Sequence, residues 1–145
     1  MDKFEKGIIA ASIVISMVLF FSVLVARSSY KADVPECIPA DNIYTEGKAV
    51  MLDKNTWQLY YVARMWLFDP AEVEIPVGSE VDLYVTSPDV VHGFNIASKN
   101  VNMMAVPGAI TKTTVTFDKP GEYPITCHEY CGMFHQIMQG KIIVR

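Results

Sequence analysis

Five side chains that can bind a metal lie close together near the C-terminus of this 145-residue chain. They belong to the run C-H-E-Y-C-G-M-F-H-Q-I-M, which spans residues 127–138. Thiolate, imidazole and thioether groups are soft or borderline ligands, so they suit copper or zinc and poorly suit magnesium, calcium or manganese. The run therefore predicts a site for a late transition metal, with candidate ligands Cys127, Glu129, Cys131, His135 and Met138.

A further histidine, His92, follows the turn sequence S-P-D at residues 87–89 and could reach the same site. A mononuclear blue-copper centre needs two His, one Cys and a weak axial Met, which would leave one cysteine unexplained. Two thiolates could instead bridge two copper ions, each with one His, and every soft group would then have a use. A structural zinc site with two Cys and two His is a third alternative, and it leaves Met138 unused.

The strands that must position these ligands are visible from Trp57 onward, where apolar and polar side chains alternate. Such alternation is typical of half-buried strands, and Pro- and Gly-containing turns separate the runs. No amphipathic crossover helix lies between them, so the pattern indicates an all-β sandwich or barrel of antiparallel strands. The ligand run would lie between strands at residues 123–126 and 141–144, and two strand ends can hold a loop rigidly.

The N-terminal part of the chain predicts a membrane anchor. Residues 7–26 carry no charge, and a helix of this length matches a hydrocarbon layer of about 30 Å. No small-residue cleavage site follows Arg27, so we predict a retained anchor over residues 1–27. Residues 28–55 contain Pro35 and Pro39 and no sustained period, which predicts a linker with a free thiol at Cys37. The folded domain is then residues 56–145.

The charge of the chain excludes one class of partner. Residues 28–145 carry nine Lys and Arg against fourteen Asp and Glu, a net charge of −5. Nucleic acid is therefore not an expected partner. An acidic surface could speed the encounter with a basic protein, although solubility alone accounts for most of these charges. Lys3 and Lys6 before the apolar segment balance Arg27 and Lys31 after it, so the charge rule sets no orientation.

The ligand pattern resembles that of subunit II of haem-copper cytochrome c oxidases, in the domain that carries the dinuclear copper centre CuA. The family pattern is a His after a short Pro-containing loop, then Cys-x-Glu-x-Cys-Gly-x-x-His-x-x-Met. This chain has S-P-D-V-V-H-G-F at residues 87–94 and the run at 127–138. The resemblance implies a cupredoxin-like Greek-key β-sandwich preceded by one transmembrane helix, similar to the short subunit II of B-type oxidases.

The resemblance implies roles for the residues that bind copper. Cys127 and Cys131 would bridge two copper ions, while His92 and His135 would each bind one of them. A thioether on one copper and a backbone carbonyl on the other would complete the site, from Met138 and Glu129 respectively.

The resemblance also leads to expectations for three other side chains. The carboxylate of Glu129 would help to hold a magnesium ion at the contact with subunit I. Trp66, within an aromatic stretch at residues 60–68, would carry electrons from the donor to the copper, although rings of this stretch could equally fill the core. His128 occupies a variable position of the pattern, so we predict a histidine beside the site or exposed, rather than a ligand.

The function implied by the resemblance is electron transfer. CuA would take electrons singly from cytochrome c and pass them to haem in subunit I, where oxygen is reduced to water. The complex would be a proton-translocating oxidoreductase, and this chain alone would transfer electrons only. Membrane lipid and a further small single-helix subunit would be additional partners. The chain would cross a bacterial or archaeal inner membrane once, with its copper domain on the outer, periplasmic face.

Two other functions compete with this hypothesis. A membrane-anchored copper-delivery or thiol-redox protein could use Cys127 and Cys131 as a redox pair, but such proteins resemble thioredoxin and need helices packed on a mixed sheet. The CuA domain of a nitrous oxide reductase has the same motif. That domain accompanies a large catalytic domain on one chain, which is not expected here.

Overall fold

A computed structural model of the chain describes residues 2–30, 35–38 and 43–145. The chain divides into two compact units, Met1–Asp33 and Val34–Arg145. Parts of the predicted linker, residues 31–34 and 39–42, lie outside the described residues.

The first unit is one helix, α1 (Lys3–Tyr30), which contains the predicted span at residues 7–26. Its start is fixed by a reciprocal pair of hydrogen bonds. The amide of Glu5 donates to the Asp2 carboxylate, and the amide of Asp2 donates to the Glu5 carboxylate, both at 2.8 Å. This arrangement satisfies two amides that the first helical turn leaves unpaired. The helix is long and apolar enough to cross a membrane, and none of its described residues is buried.

The second unit is a sandwich of two sheets, which confirms the predicted all-β fold. Its described strands are β1 (Glu36–Ile38), β2 (Lys48–Asp53), β3 (Thr56–Arg64), β4 (Leu67–Asp69), β5 (Glu72–Ile75), β6 (Ser79–Thr86), β7 (His92–Ile96), β8 (Val101–Ala105), β9 (Ile110–Phe117), β10 (Gly121–Thr126) and β11 (Gln139–Val144). Short 3₁₀ helices lie at Ala97–Lys99 and His135–Ile137.

One sheet has the order β1-β9-β6-β3-β2, with β4 also paired to β3, and the other has the order β5-β11-β10-β7-β8. The prediction of purely antiparallel pairing was wrong for two pairs, because β3 runs parallel to β6 and β5 runs parallel to β11. Between β3 and β6 the chain passes through β5, which lies in the other sheet. This excursion provides the long connection that parallel neighbours need.

The core lies between the two sheets and follows the alternation read from the sequence. In β6, for example, the side chains of Val81, Leu83 and Val85 are fully buried, while Glu80 is exposed. Burial of apolar area at about 25 cal/mol per Å² is the main term that holds such sheets together. The largest fully buried side chains come from both sheets and include Tyr61, Phe68, Phe94, Phe117, Ile125 and Ile142.

Two strands lie in the segment predicted to be a linker, so that prediction is corrected for them. β2 pairs with β3 from Lys48 to Asp53, and β1 pairs with β9 from Glu36 to Ile38. Both are at sheet edges, where only one neighbour is needed and a long buried pattern is absent. All residues of β2 except Val50 are exposed, which explains why the sequence showed no alternation there.

The ends of three neighbouring strands, β7, β10 and β11, lie together at one end of the second sheet. His92 is the first residue of β7, residues 127–138 connect β10 to β11, and Thr126 at the end of β10 is paired with Asn95 of β7. The loop is closed at its base by the amide of Cys127, which donates to the carbonyl of Met138 at 3.3 Å. The fold therefore brings the two parts of the predicted ligand set to one place.

Candidate metal centre

Two free thiols face each other in the loop between β10 and β11. The Sγ atoms of Cys127 and Cys131 are 3.7 Å apart and form no disulfide. The thiol of Cys127 also lies 3.2 Å from the carbonyl oxygen of Glu129, whereas the Glu129 side chain is exposed. The loop thus turns a backbone oxygen, rather than a carboxylate, towards the sulfurs.

The buried thiol of Cys131 is the centre of the cluster. Its Sγ lies 3.6 Å from Nδ1 of His135 and 3.7 Å from Sδ of Met138. The 3₁₀ turn His135–Ile137 produces this arrangement, because it folds the chain back so that the amide of Met138 donates to the carbonyl of His135. Met138 itself is 1% exposed and belongs to the core, so its thioether is held in place by packing.

His92 joins the cluster from β7. One ligand atom each from His92, Cys127 and Cys131 all lie within 4.8 Å of one another. The Nε2 atom of His92 is 2.8 Å from the Asp89 carboxylate, while Nδ1 is buried and has no protein partner. A carboxylate accepts a hydrogen bond from the Nε2–H group, so the proton stays on Nε2 and the lone pair of Nδ1 is free for a metal. A buried nitrogen without a partner is costly, so a metal would satisfy it.

Asp89 was not identified as a site residue from the sequence. It is ionised at neutral pH: burial opposes ionisation, but hydrogen bonds from the His92 ring, two backbone amides and a serine hydroxyl outweigh burial and lower the pKa of Asp89 to about 2. One of these amides is that of Met65, at 2.8 Å, so Asp89 links the start of β7 to the β3–β4 turn. The feature of the sequence that could have identified Asp89 is its position three residues before His92.

The thiol of Cys131 is held in its neutral form when no metal is bound. Burial raises the pKa of the Cys131 thiol to about 11, and the adjacent Cys127 adds to the rise. A metal that binds here must displace the thiol protons. Thioether, thiolate and imidazole atoms are the donors that copper prefers, so the residues present fit a copper site.

Trp66 packs on the ligand loop. Its indole Nε1 donates to the carbonyl oxygen of Cys131 at 3.1 Å, and its ring meets that of Phe134 edge-on with a centroid distance of 4.9 Å. Gly132 makes this contact possible, since its φ of +118° disfavours other residues and a Cβ there would lie 3.1 Å from Nε1. By contrast, Tyr61 and Phe68 of the same aromatic stretch are core residues.

Exposed apolar side chains adjoin the site residues in sequence, and we call them the apolar rim. Isolated exposed apolar residues are normal, whereas several of them next to the residues of a site form a candidate docking surface. The rim consists of Met65, Leu67, Val90, Val91, Met133, Phe134 and Ile137.

The described fold does not suit the thiol-redox alternative. Outside α1, the described residues contain two 3₁₀ turns and no α-helix, so the helices of a thioredoxin-like sheet are missing. His128, for its part, is exposed and contacts Asn102 on β8.

Comparison with known proteins defines the class of this chain. Residues 41–145 match the family described as cytochrome c oxidase subunit II, periplasmic domain. A cytochrome c oxidase subunit 2 of Thermus thermophilus is 32% identical over 98% of this chain and 92% of its own length. A second Thermus thermophilus subunit 2 is 40% identical over 66% of this chain and 71% of its own length.

Solved structures agree with this family. A chain of a heme-copper terminal oxidase dimer determined by cryo-electron microscopy superposes with a TM-score of 0.85 at 39% identity, over 99% of this chain and 100% of that chain. The crystallised periplasmic domain of Bradyrhizobium japonicum oxidase subunit II (CoxB) superposes with a TM-score of 0.57 at 23% identity, over 61% and 83% of the two chains. The latter similarity shows the cupredoxin-like fold.

The fold and the site therefore define a cupredoxin-like β-sandwich with a site able to bind a metal, in a chain whose N-terminal helix is long and apolar enough to cross a membrane. The chain belongs to the cytochrome c oxidase subunit II family. It is a subunit of a haem-copper oxidase, an oxidoreductase complex, and it associates with subunit I. The family implies copper, and the convergence of His92, Cys127 and Cys131 provides a site able to bind a metal.

Proposed function

We propose that this chain is the electron-transfer subunit of its oxidase. A dinuclear CuA centre would accept electrons from a cytochrome c and pass them to haem in subunit I, where oxygen is reduced to water. The observation that carries this proposal is the environment of Cys131 Sγ, which has a second thiol, an imidazole nitrogen and a thioether all within 3.7 Å. A mononuclear blue-copper site would leave one of the two adjacent thiols without a use, and a zinc site with two Cys and two His would leave Met138 unused.

The ligands divide between two copper ions. Cys127 and Cys131 would hold both ions, and His92 and His135 would each supply an imidazole nitrogen to one of them. Met138 and the backbone carbonyl of Glu129 would be the weaker ligands. Met138 Sδ lies 3.7 Å from Cys131 Sγ, and the Glu129 oxygen lies 3.2 Å from Cys127 Sγ. When bound, the copper pair supplies a carrier that gains and loses one electron.

The protein keeps the ligands in place during that change. His92 is 0% exposed, Met138 1% and Cys131 4%, so these ligands are shielded from water and packed in the core. Side chains in such an environment cannot relax far, because the interior is close-packed. Electron transfer then needs little movement of the ligands.

Trp66 is the proposed route by which electrons reach the centre. Its partly buried ring lies between solvent and the loop, and its hydrogen bond leads directly to the backbone of the bridging Cys131. Two residues of the apolar rim, Met65 and Leu67, are the sequence neighbours of Trp66, and both are exposed. We propose that the rim docks the cytochrome c donor, and that docking depends only weakly on salt because the rim carries no charge.

Three further features complete the proposal. The exposed carboxylate of Glu129 binds a magnesium ion at the contact with subunit I. The chain crosses a bacterial or archaeal inner membrane once, through α1, with its copper domain on the periplasmic face. A further small single-helix subunit is an additional partner beside α1.

Rapid mixing of the copper-loaded full-length chain in detergent with a reduced c-type cytochrome tests this function. We expect the cytochrome to be oxidised with a stoichiometry of one electron per centre, with the metal-free chain as control. A cytochrome that stays reduced in the presence of the loaded chain, at every donor concentration, would contradict the proposal.

A further inference from the structure

His128 is the one histidine of the sequence that the proposed copper centre does not use. Its side chain is exposed, yet its ring has two defined contacts. The ring lies against Gly93 of β7, and Nε2 forms a hydrogen bond with Oδ1 of Asn102 on β8. Since an amide oxygen only accepts, Nε2 is the donor in this bond. These two contacts fix the orientation of the His128 ring, although the side chain is exposed.

Gly93 is shaped to receive the ring of His128. A Cβ atom at this position would overlap the imidazole, and the three nearest atoms to that Cβ all belong to His128. The φ of Gly93 is not in the left-handed region, so the need for glycine is steric rather than conformational. Glycine inside a strand weakens it and marks a place where another group approaches closely.

The contact joins the immediate neighbours of two proposed copper ligands. Gly93 directly follows His92, and His128 directly follows Cys127. The described ladder between β10 and β7 is a single pair, Thr126 with Asn95, so the chain leaves the sheet just where Cys127 begins the ligand loop. The packing of His128 on Gly93 is a second contact between the loop and β7, beyond the paired residues Thr126 and Asn95.

Asn102 extends the attachment to a third strand. It lies on β8 opposite Asn95, whose side-chain amide donates to the Val101 carbonyl at 2.9 Å. The hydrogen bond from His128 therefore ends on a residue whose neighbours are themselves fixed. The imidazole is positioned by Gly93 on β7 and by Asn102 on β8.

We propose that His128 is a positioning residue that fixes the bridging thiolate of Cys127 relative to the imidazole of His92, through its contacts with Gly93 and Asn102. This inference rests on the proposed copper centre. If His128 served only to cover the sheet, its loss would change the stability of the fold and leave the electronic structure of the copper unchanged.

A double-mutant cycle on the full-length chain in detergent tests the proposal. We expect His128→Ala and Gly93→Ala each to alter the copper hyperfine splitting and to weaken copper binding by roughly 10-fold, as is typical when a group that supports a metal ligand is lost. The double variant should be no worse than His128→Ala, because the methyl group introduced at position 93 enters space that the ring has vacated. The two substitutions are thus expected to be strongly non-additive.

Asn102→Ala keeps the measurement informative if Gly93→Ala does not fold. It removes only the hydrogen bond of an exposed side chain, and we expect a hyperfine change of the same sense and smaller size. Unchanged copper spectra and affinity in both His128→Ala and Asn102→Ala would overturn the proposal, as would additive effects in the cycle. The wild-type spectrum separates the two hypotheses: if it shows no copper pair, the proposed function fails first and the role of His128 fails with it.

Discussion

His92 makes its hydrogen bond to Asp89 through Nε2, at 2.8 Å, and keeps Nδ1 buried without a protein partner. The carboxylate therefore selects the tautomer in which Nδ1 can bind a metal. It also brings a full negative charge next to the ligand, since the pKa of Asp89 is lowered to about 2. Asp89 thus determines both the tautomer of His92, a proposed copper ligand, and the negative charge beside it.

Asp89→Asn is expected to raise the reduction potential of the copper centre. Loss of the negative charge destabilises the more positive, oxidised state, and copper affinity should fall about tenfold. Redox titration followed by optical absorption measures the shift. Asp118→Asn is the control, because Asp118 lies beyond Phe117, which pairs with Ser79 at the opposite end of β6 from the site. Equal potentials for Asp89→Asn and wild type would refute the electrostatic role.

Trp66→Ala should slow the delivery of electrons from cytochrome c while the copper spectrum is retained. Removal of an aromatic anchor at a docking site costs about 2 kcal/mol, or roughly 30-fold in affinity. Trp66→Phe retains the ring without the hydrogen bond to Cys131 and should lose less. Stopped-flow oxidation of the cytochrome gives the second-order rate constant. Val77→Ala is the control for loss of an exposed apolar side chain, because Val77 lies outside the apolar rim, close to Ser79 at the end of β6 away from the site. A normal rate in Trp66→Ala would exclude this route.

Met138→Leu should separate the ligand role of Met138 from its role in the core. The volume is nearly conserved, so the free energy of unfolding should change by less than about 1.5 kcal/mol. Loss of the thioether should nevertheless raise the reduction potential, because a donor that stabilises the oxidised copper is gone. Met103→Leu is a matched control, since Met103 is equally buried in the core at 1% exposure. If both variants behave alike, Met138 is a packing residue only.

Substitution of the cysteines should distinguish the bridging thiols from the third thiol. Cys127→Ser or Cys131→Ser removes a bridge, and we expect the copper content to fall below that of the wild-type chain by elemental analysis. Cys37→Ser should leave it unchanged, because Cys37 lies in β1, which pairs with β9 in the other sheet. A comparable loss of copper in Cys37→Ser would mean that the copper content reflects unfolding or surface thiols.

Much of the fold could be predicted because it depends on local patterns. Strands such as β6 alternate buried and less buried side chains along most of their length, and this period is visible in the sequence. β2 lacks the pattern because it is an edge strand with a largely exposed surface, so its sequence predicts a linker instead. Parallel pairing of β3 with β6 depends on the path of the chain between sheets, which no local period records.

Part of the candidate site could likewise be predicted from the sequence, and part could not. Residues 127–138 lie in one loop, so their convergence could be predicted from spacing alone. The part played by Asp89 could not, because it depends on which nitrogen of His92 points to the core. The contact between His128 and Gly93 depends on two segments that are adjacent in space and 35 positions apart in the sequence. Such contacts require the sheet order, which the sequence pattern does not provide.

Electron paramagnetic resonance of the oxidised, copper-loaded full-length chain tests the proposed CuA centre most directly. An unpaired electron shared equally by two bridged copper ions gives a hyperfine pattern from two equivalent nuclei, and this is the expected result. A pattern from one copper nucleus, at saturating copper, would contradict the dinuclear centre and would support a mononuclear site with one unused thiol.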